Sequence, residues 1–281
     1  MTTITPADSR TFGLSRAGGV SRTLGDSATM LRRQLRHQLR YPSVTLMLVG
    51  MPVVFLLLFV YVLGGTLGAG IEGAQGGRAE YLEYVMPGIL LVAVAAVAQG
   101  TSISVAMDMT EGIVARFRTM SIARAAVLTG HVAGAVIQTV CCLAVVTAVA
   151  AVIGFRPGAT VIEWVAALGV LLLIAFALTW VTVALGMTSN TVEGASNSPM
   201  PLLLLPFLSS GFVPTESMPA GVRWFADHQP FTPFIETVRG LLLGTAIGTS
   251  GWATLAWCAV LSLGGYAVAR RAYERRSVRT G

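Results

Sequence analysis

The chain has 281 residues, of which 54% are hydrophobic and only 11% are charged, and its formal net charge at pH 7 is +6. A soluble domain carries about 25% charged residues, and a disordered chain is poor in apolar residues, so this composition excludes both classes. Long charge-free runs recur from residue 43 to residue 269, which is typical of a polytopic membrane protein.

The N-terminal 41 residues precede the first apolar run. They contain no apolar core of the kind that a signal peptide carries, so the first run is expected to stay as a membrane anchor. Residues 1–25 are predicted to be a disordered cytoplasmic tail. Residues 26–41 are predicted to form an amphipathic helix lying on the membrane surface, with docking on a soluble partner as the alternative. One face of this helix carries four basic residues: Arg32, Arg33, Arg36 and Arg40.

Six membrane spans are predicted, because a helix needs about 20 apolar residues to cross a bilayer. The runs lie at residues 43–67, 84–107, 130–154, 161–187, 199–214 and 252–269. The fifth run is short, and the apolar stretch after it is expected to complete the crossing. Residues 215–251 are predicted to form a re-entrant helical hairpin, since prolines and aromatic residues alternate there. The expected fold is an all-α membrane protein with six transmembrane helices, an interfacial helix and this hairpin.

The arginines are divided unevenly between the two sides that an even number of spans defines. Seven precede the first span, three lie between the second and third, and five follow the last. The other side holds four: Arg78, Arg156, Arg223 and Arg239. The positive-inside rule therefore predicts that both termini are cytoplasmic and that the protein resides in the cell membrane. This orientation explains the excess of basic residues, so no nucleic-acid partner is expected.

The chain lacks a nucleotide-binding motif. All 19 basic residues are arginine, whereas a Walker A loop needs a lysine to hold the phosphates. We therefore expect no enzyme activity, no metal and no cofactor in this chain, with any ATP bound elsewhere. The central parts of the predicted spans carry no charge, which argues against an ion-coupled transporter. Cys141, Cys142 and Cys258 lie in apolar runs and are interpreted as small apolar residues.

Three polar positions near the predicted span ends have structural interpretations. Glu163 is expected at the outer end of the fourth span, as an interfacial residue. Glu236 and Arg239 are three residues apart and are predicted to form a solvated, structural pair on one helix face.

An intramembrane hydrolase is the enzyme-class alternative. It needs a nucleophile beside a base, such as Ser209 or Ser210 with a histidine. His131 is expected on the inner side and His228 on the outer side with the serines, so only His228 is a candidate base. As an interfacial hydrogen-bonding residue it fits better.

The segment between the second and third spans, residues 108–129, combines charges with an apolar helical face. Such a face suits a short helix in the groove of another protein, whereas a solvated loop does not need one. Gly112 permits close approach or a break in this helix. The residues expected to contact the partner are Asp108, Glu111, Gly112, Arg116, Phe117 and Arg118.

Two segments resemble the permeases of type-2 ABC exporters, and in particular the daunorubicin-resistance, multidrug-efflux group. The first reads EGIVARFRTM from Glu111 and IARAAVLTG from Ile122. The second reads LPFLSSGFVPTESMP from Leu205, then FADHQPFTP and RGLLLG. They occur in the order expected for the family, and the likeness runs from about residue 25 to the end. Ser121 departs from the proline usual there, so the local bend is expected to differ.

This resemblance implies a function and its partners. It implies two permease copies in a lipid bilayer and two copies of a separate ATP-binding subunit, which would hold ATP and Mg²⁺. The expected activity is export of hydrophobic or amphipathic drugs. The alternative within the family is export of a lipid or glycan component of the cell envelope. The alternative of another class is a membrane channel or scaffold that does not transport by this mechanism. Four residues of the fifth span are expected either to line or gate the path or to pack between protomers: Phe207, Ser209, Ser210 and Phe212.

Overall fold

The computed structural model describes residues 42–68, 77–110, 124–189 and 191–278, and these form helices joined by short connections without a β-strand. In chain order the α-helices are α1 (Pro42–Leu57), α2 (Gly64–Gly68), α3 (Arg78–Thr110), α4 (Arg124–Val152), α5 (Val161–Thr188), α6 (Val192–Asn197), α7 (Met200–Leu204), α8 (Ala220–His228), α9 (Phe231–Leu243) and α10 (Ser250–Val278). A π-helical segment, Leu58–Leu63, joins α1 to α2 without interruption. The predicted interfacial helix, residues 26–41, lies outside the described residues.

Five helical stretches in the described residues are long and apolar enough to cross a membrane. They are Leu48–Thr66, Arg78–Thr110, Gly130–Val152, Val161–Thr188 and Ser250–Ala272. These agree with the first four and the last of the predicted spans. The helices α3, α4 and α10 extend beyond the predicted runs because helix-forming polar and charged residues continue the hydrogen-bonded turns past the apolar stretch.

Helix α3 is the centre of the helical bundle. Every residue from Val85 to Ala98 is buried, which agrees with a segment that is apolar on all its faces. It is surrounded by α1, α4, α5, α9 and the short helices α6 and α7. Because it touches most of the other elements, any displacement of α3 must be shared with them.

Helices α5 and α10 pack along each other on one side of α3. Their contact is close at Gly265, where a Cβ atom would lie 2.6 Å from the carbonyl carbon of Trp180. The Trp180 ring meets the Tyr266 ring edge-on, with 5.1 Å between centroids. The opposite faces leave large apolar residues exposed, including Ile162, Val165, Trp252 and Leu263. Such faces need lipid or another apolar surface to cover them.

The fifth predicted span is not one continuous helix. It consists of α7 and a 3₁₀ turn, Leu205–Leu208, followed by a non-helical turn, and α6 lies just before it. We call α6 together with this span, residues 192–214, the broken segment. Prolines at positions 199, 201 and 206 explain the breaks, since proline has no N–H donor and clashes with the preceding turn. The segment runs beside α3 in the opposite direction, because Ser102 Oγ donates to Ala195 O at 2.9 Å and Tyr81 Oη to Phe212 O at 3.4 Å.

Two short helices occupy the region predicted as a hairpin. Helix α8 is largely exposed, whereas α9 buries Phe231, Phe234, Ile235, Val238 and Leu242 against α3, α5 and α10. Pro230 precedes α9, and Gly244 ends it with a φ of 68°. The helix thus has one apolar face that fits between three long helices.

Candidate functional site

The four predicted path residues lie together on the turn that follows α7. Ser209, Ser210 and Phe212 are buried, and Phe207 is partly buried. Ser209 Oγ donates to Pro206 O and accepts a 3.3 Å hydrogen bond from Gly211 N, so the side chain stabilises the turn itself. Their role in lining a transport path stays a prediction. If a path opened here, the contacts described below would have to break.

An aromatic cluster connects this turn to the first span. It consists of Phe55, Phe59, Phe207 and Phe212. The rings of Phe207 and Phe212 are stacked with 4.7 Å between centroids, and Phe59 lies 4.4 Å from Phe212. Phe55 meets Phe207 edge-on at 5.2 Å. Phe59 belongs to the π-helical segment of the first span, and single π turns in α-helices are frequent at functional positions.

The turn at residues 209–211 touches α3 through backbone atoms. A Cβ atom at Gly88 would lie 2.9 Å from Gly211 O, closer than real side chains approach a carbonyl oxygen. A Cβ atom at Gly211 would lie 2.9 Å from Ile235 Cδ1 of α9 and 3.2 Å from Gly88 Cα. The turn is therefore held between α3 and α9 at a separation that only two facing glycines permit.

A buried arginine joins the same three segments. We call Arg239, Glu236, Tyr84 and Ser210 the Arg239 cluster. Arg239 Nη1 donates to Glu236 Oε1 at 2.6 Å, and Nη2 donates to Ser210 O at 2.7 Å and to Tyr84 O at 3.2 Å. The guanidinium Cζ lies 4.1 Å from the centre of the Tyr84 ring, a cation–π contact. Tyr84 Oη in turn donates to Ser210 O at 2.9 Å.

The predicted Glu236–Arg239 pair is confirmed, but its predicted solvation is wrong for Arg239. The arginine is only 8% exposed, whereas the glutamate side chain remains 37% exposed. Sequence spacing identified the neighbour on the same helix and gave no signal for the partners on α3 and the 209–211 turn. Burial is possible because backbone carbonyls and an aromatic face replace the water around the guanidinium.

A second polar contact lies at the Thr110 end of α3. His131 Nε2 donates to Asp108 Oδ2 at 3.1 Å, and His131 is only 6% exposed. Because a carboxylate only accepts hydrogen bonds, the Nε2 atom carries the proton. This bond joins the end of α3, just before residues 111–123, to α4, which follows them. The sequence predicted the position of His131 on the inner side but gave no signal for this bond.

The other residues predicted to contact a partner lie outside the described residues. These are Glu111, Gly112, Arg116, Phe117 and Arg118, together with the interfacial Arg32, Arg33, Arg36 and Arg40. Their predicted roles stay predictions. Asp108 is the one member of the set whose position is described, and it lies in the last turn of α3.

The hydrolase alternative finds no support in the described residues. His228 Nδ1 donates to Trp224 O at 2.7 Å and its ring stacks on Trp224. Ser209 Oγ is bonded to Pro206 O, and no described histidine contacts either serine hydroxyl. Among the described residues, therefore, neither serine is paired with a histidine as a nucleophile and its base.

Glu163 has a structural role. It begins α5 in a capping box, in which Thr160 N donates to Glu163 Oε2 at 2.6 Å and Thr160 Oγ1 accepts from Glu163 N. The carboxylate thus satisfies a backbone donor at the helix start, as an end-of-span position requires. Cys141, Cys142 and Cys258 are all free thiols within α4 and α10.

Two comparisons with known proteins agree with this arrangement. The family model described as "ABC-2 type transporter" matches residues 27–243, which include both polar contacts and the aromatic cluster. The chain is similar to the daunorubicin resistance ABC transporter permease protein DrrB1 of Streptomyces coeruleorubidus, with 32% identity over 233 residues, covering 83% of this chain and 78% of the relative. With its long apolar helices, the chain is therefore a multi-pass membrane permease that belongs to the ABC-2 type transporter family.

Proposed function

We propose that the chain is the transmembrane permease of an ABC exporter that moves hydrophobic or amphipathic compounds, including drugs and antibiotics, out of the cell. A separate subunit would bind ATP and Mg²⁺ and supply the energy. The observation that carries the proposal is similarity, over most of both chains, to a permease named for daunorubicin resistance. The charge-free apolar faces of the long helices suit a cargo that reaches the protein through lipid.

The proposed topology has six crossings. The stretch of α3 from Tyr81 to Ser102 is about 31 Å long at about 1.5 Å per residue, close to the hydrocarbon thickness of about 30 Å. The broken segment contacts α3 at both ends of that stretch, at Ala195 and at Phe212. Its path therefore supports a crossing made of short helices instead of one continuous helix.

The contacts of α9 support the proposed re-entrant hairpin. Just before α9, Gln229 Nε2 donates to Leu205 O and Leu208 O, at 3.0 Å each. Arg239, nearly three turns later, reaches Tyr84 O and Ser210 O. The chain thus descends through α8 beside the 3₁₀ turn and rises through α9 on the same side.

The arginine distribution supports an orientation with both termini in the cytoplasm. The Thr110 end of α3 and the Asp108–His131 contact would then face the cytoplasm, and the Arg239 cluster would lie near the outer surface. In this arrangement the ATP-binding subunit docks on residues 108–129 and on the interfacial helix of residues 26–41, and residues 1–25 form the tail.

We place a second permease copy on the face formed by the first span and the broken segment. These two elements touch through the aromatic cluster and expose apolar residues side by side. The exposed set is Met51, Val54, Tyr61 and Val62 with Met200, Leu204 and Leu208. A two-permease, two-ATPase complex would cover this face and put the aromatic cluster next to the path between protomers.

The proposed mechanism transmits force along α3. Closure of the ATP-binding subunits would push residues 108–124, and the Asp108–His131 bond would make the ends of α3 and α4 move together. Because α3 is packed on nearly all faces, that motion would reach the 209–211 turn at its far end. Release of the turn would then open the path outward.

Drug-stimulated ATP hydrolysis tests the partner and the cargo together. The permease is co-purified with its ATP-binding subunit, and the ATPase rate is measured with and without daunorubicin. We expect a stable complex whose rate rises several-fold with drug, and loss of this stimulation in Glu111→Ala/Arg116→Ala. A complex with a drug-independent rate would contradict drug export, and an unchanged rate in the double variant would remove the loop from the mechanism.

A further inference from the structure

We propose that Arg239 is a positioning residue that holds the 209–211 turn closed against α3, and that outward opening requires its release from the Ser210 carbonyl. This rests on the proposed export function, because a closed turn has a role only if a path opens beside it. The inference concerns the outer end of the path, far from the surface where the ATP-binding subunit would dock.

The Arg239 side chain bonds to two other segments of the chain. It lies on α9 and reaches Tyr84 O on α3 and Ser210 O on the turn with the same Nη2 atom. These residues are 155 and 29 positions away in the chain. Withdrawal of one guanidinium would therefore break the bond from α9 to α3 and the bond from α9 to the turn at the same time.

The 209–211 turn is held through successive backbone groups. Ser210 O accepts from both Arg239 Nη2 and Tyr84 Oη, which uses both its lone pairs. Gly211 packs directly on Gly88, and Phe212 O accepts from Tyr81 Oη. Of these contacts, only the one with Arg239 is made by an ionic group, so it is the strongest single hydrogen bond on the turn.

The turn is flanked by two residues of the aromatic cluster. Phe207 precedes it and Phe212 follows it, and their rings stack on each other and both contact Phe59 of the first span. A turn that leaves α3 must move these two rings apart or away from Phe59. The contact of Arg239 with Ser210 thus controls whether the aromatic cluster is closed.

The closed arrangement leaves two buried polar atoms without a hydrogen-bond partner among the described residues. Among the described residues, Arg239 Nε and Ser210 Oγ are buried without a hydrogen-bond partner. A purely structural network in a membrane protein would be expected to satisfy both. The nearby Glu236 carboxylate is partly exposed and offers the guanidinium a bond outside the turn. A contact with these properties suits a connection that breaks and re-forms in each transport cycle.

Thiol accessibility at Ser210 tests the proposal. The reporter is Ser210→Cys in a protein whose three native cysteines are replaced by alanine; the serine hydroxyl makes no hydrogen bond among the described residues, so the change removes none. Intact cells are treated with a membrane-impermeant maleimide. We expect slow labelling with Arg239 present, labelling about tenfold faster with Arg239→Gln, and an intermediate rate with Arg239→Lys, which keeps the charge without the forked donors.

The matched control is Arg223→Gln, which removes an exposed arginine of α8 that pairs with Asp227 at 3.7 Å. Its labelling rate should equal that of the parent. An unchanged rate in Arg239→Gln, or an equal increase in Arg223→Gln, would overturn the proposal. If Arg239→Gln fails to insert, Tyr84→Phe decides, since it removes one donor to Ser210 O: faster labelling supports the proposal and an unchanged rate overturns it.

The experiment separates this inference from the export function. Labelling needs neither the ATP-binding subunit nor a drug, so it reports on the closed turn even if the cargo is wrong. Conversely, drug export by a protein whose labelling is insensitive to Arg239 would refute the positioning role alone. A second readout is the ratio of drug exported to ATP hydrolysed, which we expect to fall several-fold in Arg239→Gln while hydrolysis continues.

Discussion

At the scale of single residues, several polar side chains in the described part of the bundle connect separate elements. Arg239 joins α9 to α3 and to the 209–211 turn, and His131 joins α4 to the last turn of α3. The sequence reveals such residues as isolated polar positions beside apolar runs. It does not reveal their partners, because contacts over 23 or 155 positions follow no helical spacing. That is why the Glu236–Arg239 pair was predictable and the burial of Arg239 was not.

The Asp108–His131 bond makes a prediction at this scale. His131→Ala should leave the protein inserted and bound to its ATP-binding subunit, but should lower drug-stimulated ATPase activity several-fold. A hydrogen bond to a charged group contributes about 1.5–3 kcal/mol, enough to weaken the joint movement of α3 and α4. ATPase activity of the purified complex measures the effect.

The control for this prediction is His228→Ala. Within the part of the chain that the structure describes, that histidine bonds only within α8, to Trp224 O, so its removal should leave the stimulated rate unchanged. Equal losses in the two variants would mean that His131 has no special part in coupling.

At the scale of elements, apolar run length was sufficient to predict five of the long helices. It failed for the fifth predicted span, where prolines divide the segment into short helices that take their position from contacts with α3. The spans' ends were also displaced, since polar helix formers extend α3 and α10 beyond their apolar parts. The length of an apolar run predicts which segment can lie in the bilayer. The ends and breaks of a helix depend instead on backbone hydrogen bonding.

The packing of α5 on α10 makes a prediction at this scale. Gly265→Ala should lower the stability of the protein in detergent by about 1–3 kcal/mol, as overpacking does. The added Cβ would lie 2.6 Å from the Trp180 backbone, which cannot turn away as a side chain can. The midpoint of thermal unfolding, followed by size-exclusion chromatography, measures the change.

Gly264→Ala is a control one residue away. A Cβ atom at Gly264 meets no described atom within 4 Å, and alanine favours the helix more than glycine does. This variant should be as stable as the parent or slightly more stable. A loss of stability in Gly264→Ala equal to that in Gly265→Ala would show that the two helices are not packed in this register.

At the scale of the whole molecule, composition and two motifs were sufficient to predict the class and the family. The absence of lysine predicted that ATP binds to another subunit, and the comparisons confirmed the family that the two segments indicated. The site was less predictable. The sequence singled out Ser210 and Phe212, but their contacts with Arg239, Tyr84 and Phe59 depend on how α3, α9 and the first span meet.

In the proposed mechanism, the bundle transmits motion from one end of α3 to the other. The Asp108–His131 bond lies near one end of α3 and the Arg239 cluster near the other, with fourteen consecutive buried residues, Val85 to Ala98, between them. A push at the first end is expected to reach the second because a tightly packed helix moves as a unit. The two ends would thus serve energy input and outward release.

Transport itself tests the central claim most directly. The permease and its ATP-binding subunit are reconstituted into liposomes with their ATP sites facing outward, and daunorubicin accumulation inside is measured by fluorescence. We predict ATP-dependent accumulation that disappears when the Walker A lysine of the partner is replaced. Proteoliposomes that contain an intact, ATP-hydrolysing complex but accumulate no drug would contradict the account.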